Sequence, residues 1–151
     1  METWDSATML GSPTGREMSE PLVLVVDDDS EIRSYIRTIL TYHGVQVLEA
    51  IDGADALDAF HAWSDRIHLV VSDIRMPRMT GIDLAAAVGS VSPSLPFIFV
   101  SGDPTSMDRH GLKNRFLFLE KPFAPKAMWD AARQFLAQIP APAAQGTGSS
   151  V

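Results

Sequence analysis

Chemistry-bearing side chains stand where the apolar runs of this chain stop. Leu22-Val23-Leu24-Val25-Val26 ends in Asp27-Asp28-Asp29, and the run from His68 to Ser72 ends in Asp73. Ser101 follows the run Pro96–Val100, and Lys121 follows Phe116–Glu120. Two apolar strands that both end in carboxylates bring acids together at one edge of a parallel sheet. Like charges are costly to crowd unless a cation joins them. That edge is therefore expected to bind a divalent metal and to carry phosphate chemistry.

The elements that must position these groups alternate along the chain. Leu22–Val26 is continuously apolar, as a strand covered on both faces should be. Ser30 offers an N-cap, and Ile32, Tyr35, Ile36, Ile39 and Leu40 form a helical stripe closed by Gly44. Val45–Ala50 reads as a second strand. Gly53 opens a helix with Ala56, Leu57, Phe60 and Trp63 inward. Leu69–Ser72 is a third strand and Gly81–Val91 a third helix. Pro96–Val100 and Phe116–Glu120 are the last strands. Pro125–Gln138 is a final amphipathic helix with Met128, Ala131, Phe135 and Leu136 on one face. The stretch from Gly102 to Arg115 is poor in apolar residues, so a fourth helix there is expected to be short or loosely held. Such βα repeats give a parallel sheet with helices on both faces, joined by right-handed crossovers. Ligands of doubly wound sheets bind beyond the carboxyl ends of the strands, where the acids, Ser101 and Lys121 fall.

Length and composition bound the rest. The 151 residues suit one domain, and an apolar content of 46% supports a core. Residues 1–20 read as a disordered extension, 21–139 as the folded unit and 140–151 as a low-complexity tail. Met18 is a candidate true start. With 12 basic and 19 acidic residues, the formal charge is −7 and no basic patch is evident. Nucleic acid and membrane surfaces are therefore disfavoured as partners. Cysteine is absent, which excludes disulfides and thiolate sites. Neither a bilayer-length apolar run nor a signal peptide stands out, so a cytoplasmic location is the expectation.

Asp27-Asp28, Asp73 before a Met-Pro and a Gly, Ser101 after an apolar strand, and Lys121-Pro122-Phe123 together resemble the receiver domain of two-component response regulators, of the stand-alone, chemotaxis type. The resemblance covers about residues 21–139. It implies a flavodoxin-like (βα)5 fold with a five-stranded parallel sheet in order 2-1-3-4-5. Asp73 would then be the phosphoacceptor, a carboxylate being suited to a labile acyl phosphate. Asp27, Asp28, Asp73 and the backbone carbonyl of Arg75 would hold Mg²⁺, or Mn²⁺ in its place. Lys121 would pair with the phosphoryl oxygens and Ser101 would donate its hydroxyl to them. A cis bond between Lys121 and Pro122 is implied as well. The donor would be a sensor histidine kinase or a histidine phosphotransfer protein. With no output segment after residue 139, a downstream protein target would receive the signal. The molecule would be a monomer or a phosphorylation-dependent dimer, and no enzyme beyond its own phosphotransfer and autodephosphorylation.

The resemblance also implies a switch. The phosphoryl group draws Ser101 inward and biases a two-state surface. Phe118, three residues before Lys121, occupies the aromatic switch position but lacks a hydroxyl. Arg75 and Asp103 would flank the mouth of the site, where an ion pair could slow hydrolysis. Arg33 and Arg37 lie four apart, giving either a solvated basic face or a docking surface. Asp29 reads as a cap or supporting group, and Glu120 as solvent-facing. His43, His61, His68 and His110 share no metal spacing and suit surface or helix-end roles. Two alternatives remain open: a phosphorylation-independent scaffold of the same fold, and an aspartyl-phosphate-type phosphatase. The second is disfavoured because Glu31 stands where such enzymes need a Thr, and no cap insertion is present. A nucleotide-binding flavodoxin relative lacks its glycine-rich loop here.

Overall fold

A computed structural model describes residues 20–103 and 112–137. Five strands, β1 (Leu22–Val26), β2 (Gln46–Ala50), β3 (Leu69–Asp73), β4 (Phe97–Ser101) and β5 (Phe116–Glu120), form one sheet in the order β2-β1-β3-β4-β5. Every pairing is parallel. The described helices are α1 (Ser30–Tyr42), α2 (Gly53–Trp63), α3 (Gly81–Gly89) and α4 (Pro125–Leu136). The expected doubly wound, flavodoxin-like fold is the observed one. The region expected to hold a weak fourth helix lies largely outside the described residues, as do the two tails, Trp4, Met107 and His110. No helix among the described residues is long and apolar enough to cross a membrane.

Strand alternation divides the core between two faces. Leu22, Leu24 and Val26 of β1 pack with Ala56 and Phe60 of α2 and Leu84 and Val88 of α3. Val23 and Val25 pack with Ile36 and Leu40 of α1 and Met128 and Phe135 of α4. Successive strand side chains point to opposite faces, so a continuous apolar run serves both layers. Each fully buried Leu or Phe contributes roughly 2–3 kcal/mol. The central strands β1, β3 and β4 are buried throughout, while β5 is half-buried.

Local departures from expectation have physical reasons. Of the two cap candidates, Asp29 rather than Ser30 caps α1, its carboxylate accepting from the Glu31 and Ile32 amides. Both residue types can cap, and only the strand's end decides which one is still extended. The third helix stops at Gly89 with Ser90 as its cap, short of Val91. Its start carries a capping box between Thr80 and Asp83, a spacing visible in sequence. Tyr35 lies at the edge of its stripe, 37% exposed, with its hydroxyl donating to the Phe123 carbonyl at 2.9 Å. Asn114 is buried and donates to the Ser92 and Leu95 carbonyls at 3.0 and 2.6 Å, tying the loop before β4 to the start of β5.

His68 also departs from a surface or helix-end role. Its amide donates to the Leu22 carbonyl at 2.8 Å, and its Nδ1 accepts from the Leu22 amide at 3.0 Å. Burial holds its pKa below the ordinary 6.5. The unfolded chain therefore takes up the proton first. The His68 contribution to stability is present above about pH 6.5 and is lost as pH falls through the lower folded value. His68→Asn keeps an acceptor for the Leu22 amide without a titration in that range. Urea unfolding between about pH 5 and 7.5 is expected to show a steeper acid-side loss for the wild type than for this variant. Equal slopes would contradict it.

Candidate functional site

The strands deliver their polar ends to one edge of the sheet. Asp27 follows β1 directly, Asp73 and Ser101 are the last residues of β3 and β4, and Lys121 follows β5. The ladder fixes their relative heights: Asp73 pairs with Val100, and Ser101 with Glu120. The Lys121 amide donates to the Ser101 carbonyl at 2.8 Å, extending the ladder by one residue. The Lys121-Pro122 peptide is cis.

Asp27, Asp28 and Asp73 come together with carboxylate oxygens all within 4.8 Å of one another. Among the described residues they are the one such group of three potential ligands. Asp27 is 1% exposed and Asp73 8%, whereas Asp28 is open to solvent. The Lys121 ammonium lies 3.3 Å from Asp73 Oδ1 and 3.5 Å from Asp27 Oδ2. It sits between two carboxylates without a short bond to either. Burial pushes the Asp73 carboxyl above its ordinary 3.8, with Lys121 opposing. Burial raises Asp27 as well; the Asp29 amide, donating to Asp27 Oδ1 at 2.8 Å, works against it, and the Asp73 charge adds to it. One ammonium thus lies against two carboxylates of a cluster of three, and burial raises the pKa of both.

This donor set fits a hard divalent cation. All three side chains offer oxygen, and one of them opens to water, which suits an ion that keeps several waters. Soft or thiolate-bound metals find nothing here.

The remaining expected residues are placed as follows. Ser101 is 2% exposed, and its hydroxyl is held locally: it accepts from the Asp103 amide at 3.1 Å and donates weakly to the Asp103 carbonyl at 3.4 Å. Arg75 and Asp103 meet over the rim at 3.5 Å, both well exposed. Phe118 is half-buried against the core and pairs with Phe99 across the sheet. Glu120 is exposed.

Arg33 and Arg37 do not form a free basic face. Both engage Glu49 of β2, through Arg33 Nε at 3.0 Å and Arg37 Nε at 2.9 Å. Arg33 Nη1 also donates to the Asp27 carbonyl at 2.9 Å. Sequence spacing misses this because Glu49 is on a different element; no local signal joins the two.

Behind Asp73 the backbone is crowded. Ser72 Oγ donates to the Asp73 carbonyl at 2.8 Å, and the Gly81 amide donates to the Ile74 carbonyl at 2.9 Å. Arg78, at φ 68°, reaches Asp52 at 3.2 Å and fastens this loop to the start of α2.

Comparisons with known proteins agree with this geometry. The family model described as the response regulator receiver domain matches residues 23–133. The chain is 34% identical over 116 residues to response regulator MprA of Mycolicibacterium vanbaalenii, covering 76% of this chain and 49% of MprA. It is 33% identical to sensor kinase CckA of Brucella abortus, covering 76% of this chain and 12% of CckA. The chain thus spans about half of the one relative and about an eighth of the other. Among solved structures it resembles the Vibrio cholerae chemotaxis protein CheY4, with TM-score 0.69 and 28% identity over 77% of this chain and 98% of that one. It also resembles the receiver domain of NtrX from Brucella abortus, with TM-score 0.66 and 30% identity over the same shares.

Proposed function

The chain belongs to the response regulator receiver domain family, and on that premise we propose that Asp73 accepts a phosphoryl group from a sensor histidine kinase or a histidine phosphotransfer protein. The observation that carries this is the joining of Asp27, Asp28 and Asp73 at one strand edge with Lys121 between two of them. Receiver domains are phosphoacceptors in two-component signalling, and the unit responsible here is residues 21–139.

Asp73 rather than its neighbours is the acceptor for a physical reason. Both Asp27 oxygens have partners and the residue is sealed. Asp28 lies out in solvent. Asp73 is desolvated yet reachable, at 8% exposure beside the solvated Asp28. As the ionised carboxylate, Asp73 attacks phosphorus in line; the bond to the donor imidazole nitrogen breaks, and that nitrogen regains its lone pair. No proton need leave Asp73. The transfer depends on positioning and charge neutralisation. Lys121 supplies a mobile positive charge to the phosphoryl oxygens. Ser101 gives up its weak bond to the Asp103 carbonyl and turns its hydroxyl to the new group. This local rearrangement biases the surface read by a downstream protein. Asp27, Asp28 and Asp73, with the Arg75 carbonyl, would hold Mg²⁺, which would offset the charge of the acids and the phosphoryl group.

The test is incubation with acetyl phosphate, read by intact mass. A gain of one phosphoryl group that requires Mg²⁺ and is released by hydroxylamine, as an acyl phosphate should be, supports the proposal. A folded, Mg²⁺-binding protein with no gain from acetyl phosphate or from beryllofluoride binding would leave the scaffold role instead. Two further outcomes are expected. Lys121→Met slows phosphotransfer on the order of a hundredfold, the scale lost with one transition-state charge partner, without abolishing Mg²⁺ binding. Arg75→Ala with Asp103→Ala opens the rim to water and shortens the lifetime of the phosphorylated form. An unchanged lifetime in a chase experiment removes that role for the pair.

A further inference from the structure

Where β1 gives way to the acidic segment, one rung of the sheet is missing, and a side chain takes its place. The Asp27 amide donates to the Ala50 carbonyl at 3.2 Å. A parallel ladder would return an amide from residue 52 to the Asp27 carbonyl. The chain leaves the sheet at Ile51, and Asp52 caps α2 instead. Arg33 of α1 supplies the donor, with Nη1 at 2.9 Å, while Nε of the same guanidinium is fixed on Glu49 at 3.0 Å. The Arg33 side chain is 16% exposed, against 44% for Arg37 on the same glutamate.

Resting on the assignment of Asp27 and Asp28 as metal ligands, we propose that Arg33 is a positioning residue which sets the Asp27–Asp28 peptide for divalent-cation binding. The peptide unit is planar. Holding the Asp27 carbonyl therefore fixes the direction in which the Asp28 Cα leaves the strand. The Asp29 amide, bonded to Asp27 Oδ1 at 2.8 Å, holds the next peptide. The acidic segment is thus pinned on both sides of Asp28, whose own carboxylate is exposed and has least packing to orient it. A planar guanidinium suits the task because its donors form a fixed fork that can serve the carbonyl and Glu49 together. Without Arg33 the Asp27 carbonyl, on a residue 1% exposed, has lost a charge-assisted bond, and the segment can rotate.

The test compares Arg33→Gln with Arg37→Gln in the full chain. Arg37 shares Glu49 but makes no hydrogen bond to the Asp27 carbonyl among the described residues. Mg²⁺ affinity is read by calorimetry, fold stability by urea unfolding, and the Mg²⁺ dependence of phosphorylation by acetyl phosphate in parallel. Arg33→Gln is expected to weaken Mg²⁺ binding about tenfold, the low end for loss of a partner that orients a ligand. The Mg²⁺ concentration giving half-maximal phosphorylation should rise in step. Arg37→Gln should leave Mg²⁺ affinity within about twofold, since it removes charge beside Glu49 without freeing the carbonyl. Wild-type affinity in Arg33→Gln, or an equal loss in Arg37→Gln, overturns the proposal alone. A wild-type protein that takes up no Mg²⁺ overturns both the proposal and the ligand assignment beneath it.

Discussion

Asp73→Asn is expected to take up no phosphoryl group from acetyl phosphate, with a residual rate below about a hundredth of wild type, while remaining folded. The substitution preserves volume and leaves an oxygen for Lys121. It removes the nucleophile, because an amide oxygen neither carries the charge nor forms a stable phosphoryl adduct. Stability should change in the opposite direction from activity. Burial raises the Asp73 pKa in the folded state, so the folded protein binds that proton more tightly than the unfolded chain. The contribution of this group is full below its unfolded value and is lost as pH rises through the folded value. Asparagine is neutral throughout. Metal-free Asp73→Asn should therefore be more stable than wild type near neutral pH, and the two should converge in acid. A variant less stable at neutral pH would mean that Lys121 outweighs the cost of burial. Urea unfolding in chelator at about pH 7 and about pH 3 reads both limits.

Gly81→Ala is expected to cost roughly 2–4 kcal/mol of stability and to lower phosphorylation with it. A Cβ at Gly81 would collide with the Asp73 carbonyl oxygen and stand 3.0 Å from Ser72 Oγ. Backbone cannot swing aside as a flexible side chain can. Both sides of the contact are fastened, by the Gly81–Ile74 and Ser72–Asp73 hydrogen bonds. The strain would pass into the peptide that carries the acceptor. Gly44 makes a useful contrast: at φ +84°, a methyl group added there would meet nothing within 4 Å. Gly44 is needed for its backbone conformation and Gly81 for space. A Gly81→Ala protein within about 0.5 kcal/mol of wild type would show that α3 can retreat from β3.

The sheet is legible in sequence because strand patterns alternate with helical stripes, and four of the five strands end at polar residues that parallel topology sends to one side. The same logic gathers Asp27, Asp28, Asp73, Ser101 and Lys121 from residue order alone. Contacts between elements are not legible. Arg33 and Glu49 are sixteen positions apart on a helix and a strand, so nothing local marks their pairing through to the Asp27 carbonyl. His68 reads as a surface or helix-end residue, yet its ring serves as an acceptor for β1. Asn114 sits in the stretch expected to hold a short or loosely held helix, yet it is buried and ties two carbonyls. Sequence offers both Asp29 and Ser30 as caps of α1, and where the extended backbone ends selects Asp29. The need for glycine at position 81 depends on how closely α3 approaches β3, which composition does not encode.

The central claim is that, of three clustered carboxylates, Asp73 alone takes the phosphoryl group. Its most direct test is to phosphorylate the wild-type protein with acetyl phosphate and Mg²⁺, reduce the acyl phosphate with borohydride, and sequence the peptides by mass spectrometry. Reduction converts a phosphorylated aspartate to homoserine and leaves free carboxylates unchanged. The account predicts homoserine at position 73 and intact aspartate at positions 27 and 28. Homoserine at position 27 or 28, or none despite a phosphoryl mass gain, would contradict it.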